Sequence, residues 1–209
     1  MALGSGDREH PLQSQYPYTD VTNRFYVYLD DLTAATGTPA TNLDGMTDYT
    51  SGTDCSTTKI LPNSSAKGWY MNLNQYGQGE QVVTSALIAS GMVTFSTNRP
   101  VPPDNASCST ALGEARGYWV NLLNGSGAIN VPGLCGGNRS SVFVGGGLPP
   151  SPVKANSVPI AGKAVSVVLG AVQKGGAGAA GASVSISPQR IRPAITSKRK
   201  RVYTYTSGD

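Results

Sequence analysis

Between Gly68 and Thr97 the chain alternates in the way strands do. Trp69, Met71 and Leu73 are separated by Tyr70 and Asn72, the period-two pattern of a strand with one face buried. Gly77 and Gly79 then interrupt it. Val82 to Ala89 is a second apolar run, and Ser90-Gly91 is a two-residue turn signal. Met92, Val93 and Phe95 belong to a third strand, closed by Asn98, Arg99 and Pro100. Three strands joined by tight turns predict a meander, which is most of one propeller blade or one sheet of a sandwich.

The same kind of unit recurs on both sides. Ala2-Leu3-Gly4 reads as the end of a strand running into a glycine turn, and Arg24 to Leu29 as a β-branched and aromatic strand. Residues 33–57 are rich in Thr, Gly, Ser and Asp and predict a long loop with a short strand near Met46; Ile60-Leu61 is a further short candidate. Gly117 to Leu123 is a strand followed by Asn124-Gly125, a hairpin turn signal. Ser141 to Val144 and Ala164 to Val172 are later strands, with Val184 to Ile186 a short one. The predicted fold class is all-β: a partial β-propeller of about three blades of antiparallel meander sheets, joined by long loops. The predicted organisation is a propeller portion over residues 1–172, a Gly/Ala-rich flexible loop over 173–183, and a basic segment with a possible last strand over 184–209.

Composition supports this reading. Charged residues make up only 13% of the chain while it holds 26 Gly and 14 Pro, a balance that favours many turns over helices. Net charge is +4 and much of it sits in the last twenty residues, so the fold itself reads as close to neutral and no nucleic-acid partner is expected. The Lys198-Arg199-Lys200-Arg201 run reads as a solvated segment beside a last edge strand, where basic side chains discourage edge pairing. No apolar run approaches the roughly twenty residues of a membrane span. Met1 is followed by neither a basic nor an apolar leader region, so no signal peptide is expected.

The chemistry on offer is sparse. His10 is the only histidine, and it has no Cys, Asp or second His at metal-ligand spacing. Asp44, Asp48 and Asp54 share an oxygen-rich loop, but their spacing does not follow a calcium-loop pattern. There is no G-x-S-x-G, and neither Gly4-Ser5-Gly6 nor Gly145-Gly146-Gly147 lies in the strand-to-helix context of a phosphate cradle. No catalytic, cofactor or metal residue is assigned. Trp69, Tyr70, Phe95, Tyr118 and Trp119 read as core. Of three cysteines, Cys108 and Cys135 flank the strand at 117–123 and form the candidate disulfide. Cys55 is then left over or pairs outside this chain, and Cys55 with Cys108 is the alternative.

One set of motifs is more specific. Lys67-Gly68-Trp69-Tyr70 with Leu73, Gly79-Glu80 with Val82-Val83-Thr84, and Gly91, Val93, Phe95 and Pro100 followed by Cys108 resemble the C-terminal propeller of the PilC/PilY family. Gly4 to Pro11 and Leu148 to Val153 add to the resemblance. It implies a non-enzymatic module of a type IV pilus assembly and tip-adhesin protein, acting in pilus biogenesis, adhesion and twitching motility. Its partners would be minor pilins or other pilus components and a host or abiotic surface. The family is exported to the periplasm, outer membrane or pilus tip, and is much longer, so Met1 is expected to begin inside a propeller and the chain to be a fragment. The family's propeller binds calcium, but the acidic pattern of that loop is not found in this sequence, so no cofactor is expected. The alternatives are a quinoprotein-like redox enzyme, or a remnant without function.

Overall fold

A computed structural model describes residues 1–11, 21–30, 45–52, 54–61, 65–101, 113–143, 146–171 and 189–191, and these form strands and turns without a helix. The first sheet contains β1 (Ala2–Gly4), β2 (Arg24–Tyr28), β3 (Met46–Asp48) and β4 (Gly68–Asn72), in the order β1-β2-β4-β3. Its pairs are antiparallel except β3 with β4, which is parallel. The second contains β5 (Gln81–Val82), β6 (Leu87–Ala89), β7 (Met92–Arg99), β8 (Glu114–Asn121) and β9 (Ser140–Val142), ordered β5-β7-β8-β9 with β6 also on β7. The third contains β10 (Val153–Ile160), β11 (Lys163–Leu169) and β12 (Gln189–Arg190).

Alternation decides how the sheets stack. In β2 and β4, Phe25, Val27, Trp69 and Met71 are buried while Tyr26, Tyr28, Tyr70 and Asn72 are half-buried on the other face. The second sheet has no solvent face along β7: Val93 and Phe95 join Tyr118 and Val120 in one core with the first sheet. Met92 and Trp119 point the opposite way, into a second core with Val168, Ala171 and Ile191 of the third sheet and its flanks. The second sheet is therefore the middle layer of three. Phe95 stacks between Phe25, at 3.6 Å between ring centroids, and Tyr118, at 4.7 Å, so aromatic area supplies much of the first core. On β8, Gly117 is required by close approach, since a Cβ there would lie 2.0 Å from the Ala171 carbonyl oxygen.

The predicted strand around Trp69 and the strand at 24–29 are present, as are the strand at Ala2–Gly4 and the one near Met46. The Ser90-Gly91 turn is a two-residue hairpin with φ values of 50° and 81°, joining Ala89 to its partner Met92. Other expectations are corrected. Val82 to Ala89 is not one strand, because Ser96 N–H donates to Thr84 Oγ1 at 2.8 Å instead of to a backbone carbonyl, and the edge breaks into β5 and β6. Ile60 is not in a strand; it is buried, and its N–H donates to the Leu123 carbonyl. β8 begins three residues earlier than predicted and ends at Asn121. β10 was not predicted. Its VKANSVPI sequence loses alternation at a register shift between Ala155 and Val158, where Ser157 has φ 58°. The predicted loop at 173–183, the strand at Val184–Ile186, and most of the basic tail lie outside the described residues.

The candidate disulfide is also corrected. Cys135 is bonded to Cys55, with Cα atoms 5.1 Å apart. The chain after β8 turns back on that strand, Ala128 N–H donating to Trp119 O and Ile129 pairing with Asn138. This fold-back carries Cys135 to the loop that holds Cys55. Cys108 lies outside the described residues. Next to this fold-back Arg139, 8% exposed, donates from Nη2 to Tyr49 O at 2.7 Å and from Nη1 to Thr50 O at 3.0 Å. It clamps the second sheet to the segment after β3. Arg139→Ala is expected to lower stability by about 2–3 kcal/mol, because one buried and one half-buried carbonyl lose a charged donor. Urea unfolding measures this, and a change under about 0.5 kcal/mol, the usual range for surface substitutions, would mean the clamp is not formed.

Candidate functional site

Four short segments enclose a cleft of about 810 Å³ at one end of the first two sheets. They are the Ser90-Gly91 turn, the residues after β8 from Leu122 to Asn124, the segment from Lys59 to Leu61, and Leu134 with Cys135. Backbone pairing fixes each one. Leu122 N–H donates to Gly91 O at 2.8 Å, Trp69 Nε1 donates to Leu122 O at 2.8 Å, and Ile60 N–H donates to Leu123 O at 2.8 Å. Asn124 Nδ2 donates to Thr57 O at 3.2 Å, holding the loop that the disulfide also holds. With these backbone groups occupied, leucine side chains are left to line the cleft. A recess of about 100 Å³ adjoins it through Leu122 and Leu123 and reaches Met1, Tyr28 and Ile88.

The lining decides what this cleft can do. Among its described lining residues Lys59 is the only ionisable side chain, Cys135 being in the disulfide. Among the described lining residues no carboxylate, histidine or activated hydroxyl converges. Its volume lies within the range of small-ligand sites, roughly 300–1,000 Å³, and its chemistry suits an apolar group.

A second unusual feature is closed to solvent. Glu80, at the start of β5, is 0% exposed. Its Oε1 accepts from Thr97 Oγ1 and from the Tyr118 hydroxyl, both at 2.7 Å, while Oε2 has no hydrogen-bond partner among the described residues. Burial pushes its carboxyl above the ordinary range, against the opposing effect of those two bonds and of the Arg116 charge. Burial, and then the nearby Glu80, push the Tyr118 hydroxyl well above its ordinary value. Asn23 Nδ2 donates to the Glu80 carbonyl at 3.0 Å, so the residue also ties β5 to the entrance of β2. This is a structural node between two sheets.

Residues singled out in the sequence fall elsewhere. His10 Nδ1 lies 2.6 Å from Asp7 Oδ2 on the surface, and that contact is the main reason the Asp7 carboxyl is held below its ordinary value. Asp48 Oδ1 accepts from Thr50 N–H, and Asp54 Oδ1 from Ser56 N–H, each closing its own turn; Asp44 lies outside the described residues. Among the described residues no three His, Cys, Asp or Glu side chains converge to hold a metal, and no helix is long and apolar enough to cross a membrane. Trp69, Phe95, Tyr118 and Trp119 are core, while Tyr70 is on the outer face of the first sheet. Sequence reasoning missed the cleft, whose leucines come from three separate segments. It also missed the burial of Glu80, for which the only local signal was a lone carboxylate opening an apolar run.

No protein-family sequence model matches this chain. No curated protein matches it either. Among solved structures it is similar to the crystal structure of the Pseudomonas aeruginosa PilY1 C-terminal domain, with a TM-score of 0.51 and 13% sequence identity over 93% of this chain. The chain spans 41% of the length of that domain. At this identity the likeness is one of fold: three stacked sheets, none closed, form a partial propeller-like all-β structure resembling the PilY1 C-terminal domain.

Proposed function

We propose that this chain is a structural and interaction module of a type IV pilus assembly and tip-adhesin protein, working outside the cytoplasm in pilus biogenesis, adhesion and twitching motility. The observation that carries the reading is the fold likeness to the PilY1 C-terminal domain over nearly the whole chain. The Lys67 to Cys108 motif set supports it, because its described residues build β4, β7 and the hairpin at Ser90-Gly91. The cleft, apolar and bound by a disulfide, suits an exported protein that holds partners and not one that turns over substrate. Minor pilins or other pilus components are the partners of this reading.

The test is genetic. Deleting the gene in its host is expected to reduce surface pili and twitching, with restoration by the intact gene; unchanged piliation would overturn the proposal. A redox role is separated by adding a quinone cofactor and a dye to the purified protein. The expected result is no dye reduction.

A further inference from the structure

The near-neutral balance of the fold conceals a division of charge. Residues 1–114 hold eleven Asp and Glu against five Lys and Arg, whereas from Ala115 to Gly208 there are eleven Lys and Arg and no acidic residue. Among the described residues, Lys154, Lys163 and Arg190 lie on the third sheet, whereas Asp48 lies on the first sheet and Asp30 just beyond its second strand. The first sheet lies on one side of the second sheet, and the third sheet on the other.

Each end of the stack has an outer sheet face with no described sheet against it. On the third sheet, register places Val153, Leu169, Val158, Val165 and Ile160 on the face opposite Val168, which is buried toward the second sheet. Val153 is 59%, Ile160 44% and Leu169 41% exposed; Val167, on the same face beside β12, is already buried. The basic residues of this face are Lys163, paired with Ile160, and Arg190, paired with Val167, both exposed. On the first sheet the outer face carries Leu3, Tyr26, Tyr28 and Tyr70, with Asp48 exposed at the register position next to Tyr70 and Asp30 exposed beyond β2. Arg24 is engaged there, stacked over Tyr70 and bonded to Asn72.

We propose that these two faces are the halves of one head-to-tail interface, the outer face of the third sheet of one copy docking on the outer face of the first sheet of a second copy. Two observations agree. The faces are apolar and aromatic where sheets pack elsewhere in this molecule. Their exposed charges are opposite, with Lys163 and Arg190 facing Asp48 and Asp30, and the two halves of the chain repeat that opposition. A head-to-tail contact closes into a ring only if its rotation permits, and otherwise grows. The inference rests on the fold and not on the pilus role.

The test is sedimentation velocity of the 209-residue chain across concentration at low and high salt, with two charge-reversed variants. The wild-type chain is expected to associate at low salt and to dissociate as salt screens the pairs. K163E/R190E is expected to weaken association by roughly tenfold or more, and D48K likewise. Mixing the two variants should restore association, because reversed charges then meet reversed charges; matching circular dichroism spectra would show that both fold. A chain that stays monomeric at every concentration would overturn the proposal. So would association that ignores salt and the reversals, which would indicate open-edge pairing. So would a monomer whose basic face is read out only as retention on immobilised heparin, which would assign that face to a polyanion.

Discussion

Replacing Cys55 and Cys135 with serine is expected to lower the stability of this chain by about 4.5 kcal/mol, the loop-closure entropy of a cross-link of this length. The two cysteines are 80 residues apart in sequence, so the bond restricts a large part of the unfolded chain. It also spans two layers, linking the loop between β3 and β4 of the first sheet to the fold-back after β8. Local hydrogen bonds do not replace it, since Asn124 Nδ2 reaches Thr57 O and Asp54 O at 3.2 and 3.4 Å and holds only the loop's backbone. Denaturant unfolding of the double variant, with and without reductant, measures the effect. Reductant should move the wild-type midpoint toward that of the variant and leave the variant unchanged. The pairing itself is tested by Cys108→Ser, expected to leave the midpoint where it is. If Cys108→Ser destabilised as much as Cys55→Ser does, the assignment of the bond would fail. Limited proteolysis should show the loop from Asp54 to Ile60 cut first in the variant, because it then loses the covalent wall of the cleft.

The strands were legible where alternation is local, and the cleft was not. Trp69, Met71 and Leu73 declare a strand because each second side chain must enter the core. Ser90-Gly91 declares a turn because both positions take positive φ, which the glycine accepts freely. β10 was invisible because a register shift at Ala155–Val158 breaks its period and Pro159 argues against a strand; Pro159 is tolerated because β10 is an edge. The Gly117 to Leu123 run was legible as a strand, yet its continuation was not, since Leu122 and Leu123 leave the sheet to line the cleft. Proximity in sequence misled the cysteine pairing: flanking one strand says nothing about a fold-back that carries Cys135 toward a loop 80 residues earlier. The layering of three sheets was readable in outline from the number of strand runs. Which faces remain open depends on register, and register is set by hydrogen bonds that sequence does not display.

Glu80 is expected to make this chain less stable as the pH rises. Its carboxyl is fully buried and its pKa is raised above the ordinary 4.5, with burial the largest cause. In the unfolded chain it ionises near 4.5, whereas in the folded chain it holds its proton to higher pH. Between those two values the folded state binds more protons than the unfolded state, so stability is fully present below the unfolded value and is lost as pH rises through the folded one. The slope from one such group approaches about 1.4 kcal/mol per pH unit where the difference is a whole proton. The groups around it do not reverse this sign. Thr97 on β7 and Tyr118 on β8 both donate to Oε1, Arg116 favours the charged form and Glu114 opposes it, and among the described residues none donates to Oε2. Glu80→Gln keeps an oxygen for Thr97 and Tyr118 and removes the titration. Thermal melts from acidic to mildly alkaline pH should show the wild-type falling relative to the variant above the carboxylate range, the two converging at acidic pH. Parallel curves over the whole range would mean that Glu80 is ionised in the fold, and that the space beside Oε2 holds a compensating donor.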